Sequence, residues 1–220
     1  MTGDDEDTRA PWAPTGLRQL KKQRTYEAIS EAAIALFLER GFEKVSVAEV
    51  AAAAEISKPT LFRYFPAKED LVLHRFADHE DEAARVVTGR PDGHSPLAAL
   101  RARFLDGLHR HDPVTGLNDA PGVLAFHRLL YGTPSLVARL HTYLERSERA
   151  LADALDEGSL DGRVAAAQIL ATQRVLALDN WRRVAAGERA HDVHPDAVTA
   201  ANRAFDQLDR GLAPFTGCRP

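Results

Sequence analysis

Residues 46–65 read SVAEVAAAAEISKPTLFRYF, and this stretch decides how the rest of the chain is understood. Ser46 with Glu49 fits a capping box, in which the serine oxygen accepts from an N3 amide and the glutamate reaches back to the cap amide. Val47, Val50, Ala51 and Ala54 then recur at helical spacing and make one small apolar face. That helix runs out near Glu55, and Ile56 anchors the turn. Ser57 is a second N-cap, with Pro59 in the first turn, where a missing N–H is tolerated. In the second helix Leu61 and Phe65 point inward and leave Lys58, Thr60, Arg63 and Tyr64 outside. A small first helix, a tight turn and a short second helix with basic and hydroxyl groups outward have the shape of a helix-turn-helix.

Upstream, Ile29, Ala33, Leu36 and Phe37 repeat as the buried face of a longer helix, and Gly41 suits its C′ position. Ahead of that face, LRQLKKQR carries Lys21, Lys22 and Arg24, either a solvated basic helix start or a clamp on a flanking phosphate or the minor groove. Net charge over the chain is −4, which alone does not favour DNA. A small positive excess lies where the reader is: residues 1–16 carry −3, residues 17–75 carry +2 and residues 76–220 carry −3. Phosphate binding follows where charges point, not whole-chain pI.

The run GFEKVSVAEVAAAAEISKPTLFRYFPAKEDLV, residues 41–72, resembles the amino-terminal domain of the TetR family of bacterial transcriptional regulators. The matching features are Gly41-Phe42, the run from Val47 to Ala51, Ile56-Ser57, the run from Thr60 to Phe65, and Lys68-Glu69. The resemblance implies an all-α, TetR-like fold and a regulator, by family default a repressor, whose homodimer binds a palindromic stretch of double-stranded operator DNA. It implies phosphate contacts from Tyr64 and Lys68, which join Ser46, Lys58, Pro59, Thr60 and Arg63 as candidate DNA-binding residues. Two positions depart from the pattern. Glu55 stands where the family usually has a turn glycine, and a left-handed conformation there costs about 1 kcal/mol. Phe62 stands where many members carry a tyrosine hydroxyl.

Past the reader, stripes separated by loops at residues 89–96 and 111–122 predict further helices. One is expected to run unbroken from Lys68 toward Thr88, and Ser95 with Pro96 opens another. Residues 164–178 hold one charge, Arg174, so that helix is apolar nearly all round and should be covered on two sides. In the last helix Val198, Ala201, Phe205, Leu208 and Leu212 step by 3, 4, 3, 4, the spacing of a helix-pairing seam. With Ile169 and Leu176 they are the candidate dimer interface, the last two helices pairing across subunits. About nine helices are expected, with an acidic disordered tail (1–16), a reader domain (17–67) and a body for ligand binding and dimerisation (68–215).

The family resemblance implies that the body holds a small hydrophobic or aromatic effector. Candidate lining residues are Phe76, Phe104, Phe126, His127 and Leu130, then Tyr131, Tyr143, Arg174, Leu178 and Trp181. Core packing is the competing role for each aromatic, whereas His127, Arg174 and Asn180 need partners if buried.

Other classes find less support. His109, His111 and Asp112, and His191 with His194, are the nearest approaches to a metal site, but H-E-x-x-H and paired Cys-x-x-Cys are absent, and no metal or cofactor is expected. G-x-S-x-G and dinucleotide fingerprints are missing as well. The alternative from another class is a helical enzyme or small-molecule carrier with a DNA-binding appendage. A single cysteine, Cys218, excludes an intramolecular disulfide. There is neither an apolar run of membrane-spanning length (~20 residues) nor a hydrophobic signal segment, so a cytoplasmic protein is expected, with no membrane partner.

Overall fold

The computed structural model describes residues 14–77 and 79–212, with side chains described for 22–76 and 79–212. The expected tail and Cys218 lie outside these residues, except that residues 14–16 already belong to the first helix. The described elements are all helical. They are α1 (Pro14–Arg40), α2 (Val47–Ala53), α3 (Lys58–Tyr64), α4 (Asp70–Ala77), α5 (Glu82–Thr88) and α6 (Pro96–His109). A 3₁₀ turn (Pro113–Thr115) leads to α7 (Pro121–Gly132), α8 (Pro134–Asp156), α9 (Leu160–Ala185) and α10 (Ala190–Gly211).

Local chemistry sets most boundaries. Ser46 caps α2 and Glu49 reaches back to the Ser46 amide, completing the capping box. Ser57 caps α3 and Ser95 caps α6, each with proline in the first turn. Gly41, at φ +89°, ends α1 in a conformation that glycine adopts without strain.

The helix expected from Lys68 to Thr88 is two helices. Glu80 turns to Arg146 on α8 (3.1 Å) and His79 bonds Glu82 (2.8 Å), so the chain bends and α5 packs against both α6 and α8. This break is one reason that ten α-helices are seen among the described residues instead of about nine.

Two apolar clusters organise the molecule. One joins Ile29, Phe37, Val50, Leu61 and Leu71 to Leu130, Leu136 and Leu140, so the reader's core runs through α4 onto α7 and α8. The other gathers α5, α6, α8, α9 and α10 around Phe104, Ile169 and Phe205.

The second cluster corrects the expected dimer interface. Ile169, Ala201, Phe205, Leu208 and Leu212 are buried inside the subunit, and Leu176 and Val198 pack against them. The seam on α10 pairs with α6 and α9 of its own chain. The uncovered apolar stripe is on the opposite side of α9, at Leu160, Val164 and Val175, which are 67%, 46% and 61% exposed. Half-buried Ala167, Ala171 and Leu178 fill the gaps, giving steps of 4, 3, 4, 4 and 3 along the helix.

Glu55 is left-handed, at φ 54°. Its cost is backbone strain between α2 and α3, where glycine has none. Glu55→Gly is therefore expected to raise unfolding stability by about 0.5–1 kcal/mol, read by urea denaturation. A loss of stability would mean that the glutamate side chain outweighs its backbone.

Candidate DNA-reading face and ligand cavity

The reader face is built on α3. The Ser57 and Thr60 hydroxyls are 2.8 Å apart and the Thr60 amide donates to Ser57 Oγ, which fixes the first turn. Lys58, Pro59 and Arg63 are exposed, and Thr60 and Tyr64 are half-buried. Three cations rest on aromatic rings: Lys58 over Phe62, Arg63 over Tyr64 and Lys22 over Tyr26, at 5.9, 5.7 and 5.7 Å. Tyr26 and Tyr64 meet edge to face at 4.8 Å, so α1 and α3 hold their basic groups on one continuous surface. Among the described residues no carboxylate pairs with Lys22, Arg24, Lys58 or Arg63. Lys21 lies in α1, but its side chain is outside the described residues.

Two expected contacts have other work. The Ser46 hydroxyl is held by Glu49, donating to its carboxylate and accepting from its amide. That carboxyl is pulled down to about 2 by the Ser46 amide, the Ser46 hydroxyl and Arg40. Lys68 is half-buried: its ammonium donates to the Phe42 carbonyl and lies 4.2 Å from the Phe42 ring centre. It links the start of α4 to the end of α1, a role beside the expected phosphate contact.

Phe62 was not expected as a contact. It is 40% exposed on the reader, beside Lys58. An apolar ring there can meet a thymine methyl. Its spacing of four residues from Lys58 was the available signal.

In the body, a cavity of about 220 Å³ opens between α4, α5, α6, the 3₁₀ turn, α7, α8 and α9. Of the expected lining, Phe76, Phe104, Tyr131 and Arg174 border it, joined by Leu140 and Leu144 from α8. Phe126, His127, Leu130, Tyr143, Leu178 and Trp181 do not line it. Phe126 stacks on Phe76 at 6.3 Å, Leu130 is core, and the Tyr143 hydroxyl donates to Asp70 at 3.1 Å. Burial raises the Tyr143 pKa, and the Asp70 carboxylate adds to the shift. His127 and Trp181 lie behind Tyr131. Leu178 belongs to the outer stripe of α9.

The charged groups bordering the cavity are mostly paired. Arg103 faces Glu82 and Asp112, and Glu80 faces Arg146. Glu82 is held down to about 2, first by its hydrogen bond to His79. The cavity floor depends on Gly116: a Cβ there would stand 1.9 Å from the Ala177 carbonyl oxygen. Without one, the loop lies against α9 and the Asn180 amide donates to the Thr115 carbonyl at 2.9 Å. His109 and His111 each approach His194 at 6.1 Å between ring centres. Among the described residues no group of His, Cys, Asp and Glu has metal-holding geometry. No helix among them is long and apolar enough to cross a membrane.

Comparison with known proteins places this architecture. The family model for bacterial regulatory proteins of the tetR family matches residues 29–74, the span from mid-α1 through the reader into α4. The HTH-type transcriptional regulator TcmR of Streptomyces glaucescens is 32% identical over 179 residues, 80% of this chain and 72% of that protein. Two solved structures share the fold. Salmonella enterica GusR has a TM-score of 0.54 at 20% identity, over 86% of this chain and 95% of GusR. SmeT in complex with triclosan has a TM-score of 0.55 at 18% identity, over 86% and 91%. The likeness to TcmR runs well beyond the reader into the body, and with it the chain belongs to the tetR family of bacterial transcriptional regulators.

Proposed function

We propose that two copies of this chain occupy a palindromic operator and block transcription, and that a small hydrophobic or aromatic effector in the body releases them. The observation that carries the DNA-binding part is the set of Lys22, Lys58 and Arg63 on their aromatic supports, free of carboxylate partners among the described residues. One short helix reads only a few base pairs, so affinity needs two readers about 34–36 Å apart. The pairing surface is the outer stripe of α9, in place of the buried seam of α10.

The division is a reader at residues 17–67 and a body at 68–215, with α4 as the joint. A ligand between α4 and α8 moves the readers only through unequal affinity for their two arrangements. The triclosan complex of SmeT, a protein of the same fold, supports a ligand-holding body. The role is non-enzymatic and belongs with the DNA in the cytoplasm.

A salt titration of operator binding tests the reading. Lys58→Ala and Arg63→Ala are each expected to weaken binding and to flatten the slope of log affinity against log salt by about one. Lys68→Ala is expected to change the slope less, because its ammonium is held by Phe42. Unchanged slopes for Lys58 and Arg63 would move the DNA to another face. Turnover of a small molecule without DNA affinity would favour the enzyme or carrier.

A further inference from the structure

The cavity sorts its charges unevenly. Glu80, Glu82 and Asp112 border it, yet each already faces an arginine: Arg146 for Glu80, and Arg103 for Glu82 and Asp112. Arg174 also borders it and has no carboxylate partner among the described residues. Its positive charge reaches Tyr131: burial raises the phenol pKa, and the guanidinium opposes that rise. Behind Tyr131, Trp181 lies 4.9 Å away and the His127 ring 6.0 Å away.

Trp181 Nε1 and His127 Nδ1 are buried with no hydrogen-bond partner among the described residues. His127 is only 9% exposed, and burial favours its neutral form. A buried polar atom without a partner is uncommon and costly. Neither residue lines the cavity, so the group on its wall that calls for acceptor oxygens is the exposed Arg174 guanidinium. The remaining wall, with Phe76, Phe104, Leu140, Leu144 and Leu170, is apolar and offers ring faces. At about 220 Å³ the space falls below the ~300–1,000 Å³ of drug-sized sites, which suits one or two fused rings.

We infer that the cavity takes an aromatic anion, its ring system between Phe76 and Phe104 and its carboxylate or phenolate on Arg174, with Tyr131 at the same end. This rests on the reading of the body as the effector-holding part and names the chemical class that it holds. A cation is disfavoured because every carboxylate at the cavity is already paired. A long acyl chain exceeds the volume.

Titration calorimetry on the full chain tests it with three probes of one shape: β-naphthoate, its neutral amide and β-naphthylmethylammonium. The naphthoate is expected to bind about tenfold or more tighter than the amide, as a charge-assisted contact would give. Arg174→Gln, on an exposed part of α9, is expected to erase that advantage and leave the amide's affinity in place. Ser147→Phe, which fills the cavity from α8, is expected to abolish binding of both. Equal binding of all three probes, preference for the ammonium, or no binding at millimolar concentration overturns the aromatic-anion assignment. If Ser147→Phe removes binding and Arg174→Gln changes nothing, the anion fails and the cavity as effector site stands. If Ser147→Phe leaves naphthoate binding intact, the site is elsewhere and both fall. Operator binding without any ligand is measured separately and reports only on the DNA reading.

Discussion

Replacing Val164 and Val175 together by glutamate is expected to make the chain monomeric and to cut operator affinity by about 10²–10⁴-fold. Both side chains project from α9 into solvent, on a helix whose other face is packed by Ala165, Ala166 and Ile169. With Leu160 they form a stripe in steps suited to helix pairing, and small residues between them let a second helix approach. Exposed apolar residues aligned in this way suit the pairing proposed for this face. Like charges brought together there have no partner, whereas in the separated chain water solvates them. A reader freed from its twin loses the effective concentration that the second half-site supplied. Sedimentation at micromolar concentration and a gel shift on the operator measure the two effects. Val164→Thr with Val175→Thr is the milder control and should weaken pairing without abolishing it. Phe205→Glu serves as the contrast: the side chain is 1% exposed, and its substitution is expected to unfold the subunit instead of separating two folded ones. A glutamate double variant that stays dimeric would place the interface on another surface.

The two seams show what was and was not legible in the sequence. Spacing announces that α10 carries a pairing stripe, but not which helix covers it. The structure spends that stripe within the subunit, on α6 and α9. Caps are different, because their partners are local. Ser46, Ser57 and Ser95 each satisfy an amide three residues on, so sequence alone locates three helix starts. The break before α5 is not local. Phe76, Ala83 and Val87 keep helical spacing straight through it, and the bend is held by Glu80 reaching Arg146, 66 residues away. The cavity was legible in part for the same reason. Phe76 and Phe126 are both aromatics on apolar faces, yet Phe76 borders the space and Phe126 backs it, a distinction set by packing between α4 and α7. Lys68 matches a family pattern, but its ammonium is held by Phe42, 26 residues earlier, a contact that no local spacing reveals.

Asp70→Ala is expected to lower the thermal midpoint by about 6–12 °C and to loosen the link between cavity and reader. Asp70 is 5% exposed at the start of α4. Its carboxylate accepts from Arg139 Nε and Nη2 at 2.8 and 3.0 Å, from the Tyr143 hydroxyl at 3.1 Å and from the Ala67 amide at 3.1 Å. Removing it strands a guanidinium, a hydroxyl and an amide at once. Breaking a buried pair from one side costs about 3–5 kcal/mol. Arg139 is one-third exposed and can be rehydrated, so the lower end, about 3 kcal/mol, is appropriate, and each kcal/mol moves the midpoint of a chain this size by about 2–4 °C. Replacing both partners by leucine should recover much of the loss, since an apolar pair leaves no charge stranded. The same contacts tie α4, which carries the reader's core residues Leu71 and Leu73, to α8, which lines the cavity through Leu140, Leu144 and Ser147. Leu140 follows Arg139 directly, so a ligand that displaces this part of α8 pulls on Asp70 and hence on α4. In a coupled regulator, the ratio of operator affinities without and with effector is ~5–150. Arg139→Ala, which keeps Asp70 bonded to Tyr143 and Ala67, is expected to bring that ratio toward one while operator binding without ligand persists. A midpoint that falls with an unchanged ratio would make the contact a brace for the fold, and the route from cavity to reader would then run through α7 and the Phe76–Phe126 stack.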